Sequence, residues 1–329
     1  MNIGFPLLAV ILLALLALAG VGGAGLYCLF GIIVPYAAIA TFLAGVVYRV
    51  VKWAKSPVPF RIPTTCGQQK SLPWIKANNL ESPYNMAGVI GRMALEVLLF
   101  RSLFRNTKVE LKGEKPVYGS AKWLWLAGLA FHWSFLFILL RHLRFFTEPV
   151  LSFVNLFAGI DGLFEVAVPT LYLTDAAILL AVIYLLLRRV LLPQMRYISL
   201  PSDYFPLFLI LGVALSGVLM RHVYKVDLLG VKELAMGWVS FHPVVPVGIG
   251  LSFYVHLFLV SVLLAYFPMS KLMHMGGVFL SPTRNLANNS RRLRHCNPWN
   301  YPVKVHTYEE YEDDFRDKMK EAGLPVDRE

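Results

Sequence analysis

The sequence predicts an all-α integral membrane protein, a six-span helical bundle, on three observations. Of its 329 residues 57% are hydrophobic and only 16% charged, whereas about a quarter of a soluble domain is charged. Six apolar runs approach or exceed the roughly 20 helical residues that cross a bilayer's hydrocarbon. The formal charge of +11 is concentrated in particular connections between those runs. In a membrane chain that pattern marks cytoplasmic loops, so a nucleic-acid partner is not expected.

The spans are expected at 3–21, 27–50, 121–146, 168–190, 204–222 and 250–273. The first twenty residues lack a basic leader and offer only Ala19-Gly20-Val21 as a cleavage context, so they read as an anchor and not a signal peptide. Spans 1 and 2 are separated by GVGGAG, which predicts a tight hairpin, with one long broken helix as the alternative. Spans 3 to 6 are bounded by Lys122, Thr147-Glu148-Pro149, Arg188-Arg189, Pro201, Pro243 with Pro246, and Lys271.

Charge then gives direction. Residues 49–122 hold thirteen Lys and Arg against four acids, whereas 145–167 holds none and carries Glu148, Asp161 and Glu165. The 188–203 connection has Arg188, Arg189 and Arg196, and the tail after span 6 is rich in arginine. Positive-inside places both termini and 49–122 in the cytoplasm; the 221–249 loop, with Arg221, Lys225 and Lys232, falls outside against the rule. Four regions follow: an N-terminal two-span hairpin (1–54), a basic region (55–119), a four-span bundle (120–275) and a tail (276–329). Within the second, Met86, Ile90, Met93, Val97 and Leu98 recur at helical spacing over 84–105, an amphipathic helix for a membrane surface or a partner. The tail is too short for a core of its own and is expected to dock on a cytoplasmic partner.

Cys28, Cys66 and Cys296 lie far apart, so the chain alone builds neither a zinc-ribbon site nor an iron–sulfur cluster. Without a C-x-x-C-H there is no covalent haem. Cys66 reads as a free cytosolic thiol or a partner contact. The chemistry lies in the histidines. His132 and His142 are on span 3, and His256 and His274 on span 6. Intramembrane imidazoles are costly and face the bundle interior. His256 and His274 are separated by eighteen residues, five whole turns and about 27 Å, and so share a face. His132 and His142 are about 15 Å and roughly 80° apart. Because the two spans run antiparallel, His132 meets His274 near the inner face and His142 meets His256 nearer the outer. From spacing alone three readings stand: two bis-histidine haems about 21 Å apart, interhelical hydrogen bonding, or a zinc or copper site.

The pattern H-x9-H with H-x17-H on the last span resembles the gamma subunit of respiratory nitrate reductase. HWSFLFILLRHLRFF, ISLPSDYFPLFLILGVALSGVLMRH, FYVHLFLVSVLLAYFPMSKLMHMGGVFLSPTRN and RHCNPWNYPVKVHTYEEYEDDFRDKMK are similar, more specifically, to the membrane cytochrome b subunits (DsrM) of the sulfite-reduction-associated Dsr complexes. The resemblance implies a five-helix dihaem core plus one N-terminal helix, in a prokaryotic cytoplasmic membrane. It implies that His132 and His274 ligate the iron of an inner haem b, and His142 and His256 that of an outer one. It further implies menaquinol as electron donor and, as partners, a cytoplasmic iron–sulfur subunit resembling heterodisulfide reductase, a periplasmic cytochrome c, an iron–sulfur protein and a second quinone-reactive membrane subunit.

Quinol oxidation also needs a proton acceptor. Asp175, at a depth comparable to His142, is the candidate catalytic residue; the alternative is a packing hydrogen bond through Thr174 and Asp175. The nitrate reductase subunit uses a lysine near its outer haem, and span 4 has none. Haem propionates favour guanidinium partners, which makes Arg141, Arg144 and Arg221 candidates outside, with Lys271 and Lys122 inside; each is also an ordinary interfacial anchor. His222 could reach a propionate or quinone, and His242 reads as a loop residue. The competing function is a transporter or proton relay using these histidines without haem. It predicts mid-membrane breaks and repeated halves, whereas spans 3 and 6 are expected to be unbroken and dissimilar.

Overall fold

The computed structural model describes residues 3–56, 67–162, 172–281, 283–291 and 306–327. Cys66, Glu165, His295, Cys296 and the first residues of the expected fourth span lie outside them. Helices dominate because bilayer-spanning backbone must satisfy its own N–H and C=O groups. Among the described residues five helical segments are long and apolar enough to cross a membrane: Gly4–Gly23, Leu29–Ala54, Lys122–Phe145, Pro201–His222 and Leu251–Met269.

Within the first two segments lie α1 (Gly4–Leu18) and α2 (Val34–Ala54). The chain reverses between them, with Gly25 at φ +66°, a left-handed conformation glycine adopts without penalty. The hairpin is therefore formed, not one broken helix. α5 (Lys122–His142), α7 (Leu173–Leu191), α9 (Pro201–His222) and α11 (Leu251–Tyr266) complete the bundle. α7 has the length of a span but carries Asp175, Arg188 and Arg189, and packs between α5 and α9. α11 packs on α9, α1 and α2. At Gly45 of α2 a Cβ would stand 2.6 Å from Pro268, so only glycine permits this approach.

One buried cluster gathers Val10, Ile178, Val182, Tyr204, Leu209 and Leu259 from α1, α7, α9 and α11. A second gathers Ala17, Phe30, Leu234, Phe253, Tyr254 and Phe258 toward the opposite end. α5 supplies only partly buried side chains to the first, Phe131, Phe135 and Ile138, and is the least buried of the five apolar segments.

The last span departs from expectation. α11 ends at Tyr266, tight turns follow at Phe267–Met269 and Lys271–Met273, and α12 (His274–Leu280) begins a new helix. Pro268 lacks the N–H a continuing helix needs, and the Ser270 hydroxyl accepts from Leu272 N–H to start the next turn. The break lies at the end of the span, not at mid-membrane.

Arg49, Lys52, Lys122, Arg188, Arg189, Arg196 and Lys271 collect at one end, the Lys122 end; the other is the His222 end. At the Lys122 end, α3 (Met86–Leu99), capped by Asn85, is the amphipathic helix expected. α4 (Arg101–Arg105) follows, then an antiparallel hairpin of β1 (Thr107–Lys112) and β2 (Lys115–Ser120), which was not expected. The start of the tail folds onto this region. Arg284 pairs with Glu96 at 2.6 Å, Arg92 donates to the Thr283 carbonyl, and Asn288 N–H to the Pro83 carbonyl. At the His222 end are α6 (Ser152–Asp161), packed on α5, and α10 (Leu228–Ser240), packed on the turn after α5. α8 (Pro193–Ile198) links α7 to α9, and α13 (Tyr308–Glu321) ends the chain behind a Thr307–Glu310 capping box.

Candidate functional site

α5 faces the last span, and among the described residues the two do not form a closely packed pair. Their histidines meet instead. The ring centroids of His132 and His274 are 6.0 Å apart with planes at 84°. Those of His142 and His256 are 6.4 Å apart with planes at 17°. The antiparallel depths thus bring together the two pairs expected from spacing. The break after Tyr266 means that His274 reaches His132 from the start of α12 and not from the fifth turn of one straight helix.

The protonation pattern of the four rings is uniform. His132 Nδ1–H donates to the Gly128 carbonyl at 2.7 Å and His142 Nδ1–H to that of Ile138 at 2.7 Å. His274 Nδ1–H donates to the Lys271 carbonyl at 2.9 Å. A carbonyl only accepts, so Nδ1 carries the proton in each. The Ser216 hydroxyl donates to the Val213 carbonyl and accepts from His256 Nδ1 at 2.9 Å. Nε2 of all four is left with its lone pair. This is the arrangement of metal-ligating histidines, in which the far nitrogen is held by a carbonyl or hydroxyl that fixes tautomer and orientation.

A haem iron held between such rings fits the residues present. Imidazole nitrogens ligate at about 2 Å, so two rings facing one ion from opposite sides have centroids about 6 Å apart. Room is made on α9, where a Cβ at Gly217 would stand 3.3 Å from His256 Cε1. Among the described residues no three His, Cys, Asp or Glu gather as a metal cluster, so a multi-ligand zinc site has no donor set. Phe100 and Phe131 stand edge-on to His132 with centroids 4.9 Å away.

Beside His142 lies a buried charge network. Arg141 Nη1 is 3.1 Å from Asp161 Oδ2, and Nη2 donates to Asp175 Oδ1 at 3.0 Å and Thr174 Oγ1 at 3.2 Å. Thr174 donates through N–H and Oγ1 to Asp161. The Tyr172 ring is sandwiched between the guanidiniums of Arg141, at 3.7 Å, and Arg221, at 4.1 Å. Asp175 and Arg141, expected in separate roles, are partners in one ion pair. Arg144 donates from Nε to the Arg141 carbonyl. Lys271 pairs with Asp203 at 2.6 Å, and Lys122 lies over the Phe104 ring. His222 Nε2 is buried without a hydrogen-bond partner among the described residues, whereas His242 is exposed in its loop.

Asp161, Tyr172, Ser216, Gly217 and Phe100 were not identified from sequence. Ser216-Gly217 carried a usable signal, a small pair in an apolar span at a depth matching His256. Asp161 carried none, because α6 alone brings a loop acid to Arg141.

Comparison with known proteins gives the family. Residues 89–294, more than half of the chain and including all four paired histidines, match the family model described as nitrate reductase gamma subunit. The chain is 50% identical over 278 residues to the "Hdr-like menaquinol oxidoreductase cytochrome b-like subunit" of Archaeoglobus fulgidus, covering 82% of this chain and 83% of the relative. It is 44% identical over 273 residues to the protein of the same name in Archaeoglobus profundus, covering 80% and 81%. An all-α membrane bundle with two facing histidine pairs, matched in this way, belongs to the nitrate reductase gamma subunit family.

Proposed function

We propose that this chain is the dihaem b membrane subunit of a menaquinol oxidoreductase complex, passing electrons between menaquinol and a cytoplasmic iron–sulfur partner of the heterodisulfide-reductase type. The observation that carries the reading is the pair of facing imidazole couples, each ring with Nδ1 bound and Nε2 free. Its relatives' shared name supports menaquinol as the donor. Its resemblance to the Dsr membrane cytochromes supports a setting in dissimilatory sulfite or sulfate reduction.

His132 with His274, and His142 with His256, hold one haem b each; when bound, haem supplies reversible one-electron exchange. The basic Lys122 end faces the cytoplasm and the partner. At the His222 end Arg141 holds Asp175 and Asp161, with Tyr172 stacked against it, beside His142. Quinol oxidation there releases two protons, and Asp175 is the carboxylate placed to take one by exchanging its bond to Arg141. Arg144 and Arg221 are the propionate candidates at that end, since Arg141 is engaged by two carboxylates.

A reduced-minus-oxidised spectrum with haem quantitation on the purified chain tests the reading. Two haems b per chain are expected, and a colourless preparation would sink it. His142→Ala or His256→Ala should each remove one haem and leave the other; loss of both or neither contradicts the pairing. Asp175→Asn should slow reduction by a menaquinol analogue while both haems are retained, and an unchanged rate retires Asp175 as the acceptor.

A further inference from the structure

The β1–β2 hairpin is the least expected element of the fold, and no part of the bundle explains it. Every residue from Thr107 to Ser120 is exposed. Among the described residues the strands pair only with each other. An isolated two-stranded ribbon is marginal at best in water, so its residues should show what steadies it.

The register sorts them by face, since directly opposed residues on paired strands share one. Val109 opposes Tyr118, Leu111 opposes Pro116 and Thr107 opposes Ser120, giving one face almost without charge. Val109 is 58% exposed, Leu111 74% and Tyr118 70%. The other face carries Lys108, Glu110, Lys112 and Lys115. None of these lysines makes an ion pair among the described residues, and Lys122 at the root stands free of acids as well. The ribbon is thus amphipathic, its apolar face without a partner among the described residues and its surroundings cationic.

The root of the ribbon stands about three turns of α5 from His132 and is joined to the segment that touches it. Ala121 N–H closes it onto the Asn106 carbonyl. Phe104 next to the root stacks edge-on with Trp125 at 4.9 Å, Trp125 donates to the Leu99 carbonyl, and Phe100 stands against His132.

We propose that the β1–β2 hairpin is the docking element for the soluble redox subunit, taking an acidic protein whose sheet edge and apolar patch cover Val109, Leu111 and Tyr118, drawn there by the field of Lys108, Lys112 and Lys115 on the reverse face and Lys122 at the root. The inference rests on the reading above that such a subunit meets the chain at the Lys122 end, and adds where and by what chemistry. A lipid surface would match the apolar face and the lysines. At headgroup level the open strand edges meet only water and scattered lipid oxygens, whereas a protein strand pairs them in register by adding to the sheet. Four lysines against Glu110 and Glu114 select an acidic partner.

The test uses native membranes holding the whole complex. With a photo-crosslinking phenylalanine analogue at Leu111, illumination is expected to join this chain to a soluble subunit containing non-haem iron, identified by peptide mass spectrometry. An adduct only with lipid, only with another segment of this chain, or no adduct overturns the proposal. In a second arm, Leu111→Asp with Tyr118→Asp should reduce the iron–sulfur subunit retained on mild-detergent purification by about tenfold or more, two interface anchors being lost. Glu110→Gln on the opposite face should leave it within about twofold. Equal retention in all three also overturns the proposal. The haem spectrum of the same samples reads the parent function separately, since neither face touches a paired histidine.

Discussion

Gly217 gives the sharpest test of how the bundle shapes the site. A Cβ there would lie 3.3 Å from His256 Cε1 and 3.7 Å from Nδ1. For Gly217→Ala the ring must yield by a few tenths of an ångström, while a helical alanine gains about 1 kcal/mol over glycine. The two effects offset, and stability should change by less than about 1 kcal/mol. For Gly217→Leu, three further carbons enter the space of the imidazole. Overpacking of this kind costs about 1–3 kcal/mol, and the available relief is for His256 to swing away from both Ser216 and His142. Haem quantitation should then give two haems per chain for the parent and Gly217→Ala, and one for Gly217→Leu, with the haem of the His132–His274 pair retained. Two haems at unchanged midpoint potentials in Gly217→Leu would refute the placement of that site against α9.

Ser216→Ala removes the hydroxyl that fixes His256, and such outer partners are worth about 10- to 100-fold in metal affinity; haem transfer to an excess of apomyoglobin should accelerate accordingly for one haem only. Asp161→Ala leaves Arg141, 8% exposed, with Asp175 alone and strands two Thr174 donors. Breaking a buried pair costs about 3 kcal/mol or more, so equilibrium unfolding in detergent micelles should show a loss of that order, and a change below about 1 kcal/mol would contradict the network. The ring planes stand at 84° in one pair and 17° in the other, so the oxidised protein should give two separate low-spin haem signals in electron paramagnetic resonance, and a single signal counts against it.

Much of the site was legible because helical rise is regular and bilayers impose direction. His132, His142, His256 and His274 were paired by counting residues along two antiparallel spans. The break at Pro268 did not spoil this, since it comes after the face of α11 is established and His274 needs only to arrive at the right depth. The network around Arg141 was not legible, because Asp161 is twenty residues away and reaches it only through the fold of α6. The β-hairpin had a readable pattern, alternation in TKVELK and KPVYGS about a Gly113-Glu114 turn, with Gly113 at φ +64°. It was obscured because fourteen residues within a strongly basic stretch read first as charge.

Phe100 sits at φ +49°, outside the conformations favoured by a bulky residue. It is held there by the indoles of Trp125 and Trp133, which grip the Leu99 and Leu98 carbonyls from α5. The knuckle between α3 and α4 is therefore riveted to the same helix that bears His132, with an aromatic ring pressed on that imidazole. The α3–α4 junction and His132 are thus tied to one helix by two indole hydrogen bonds and one ring contact.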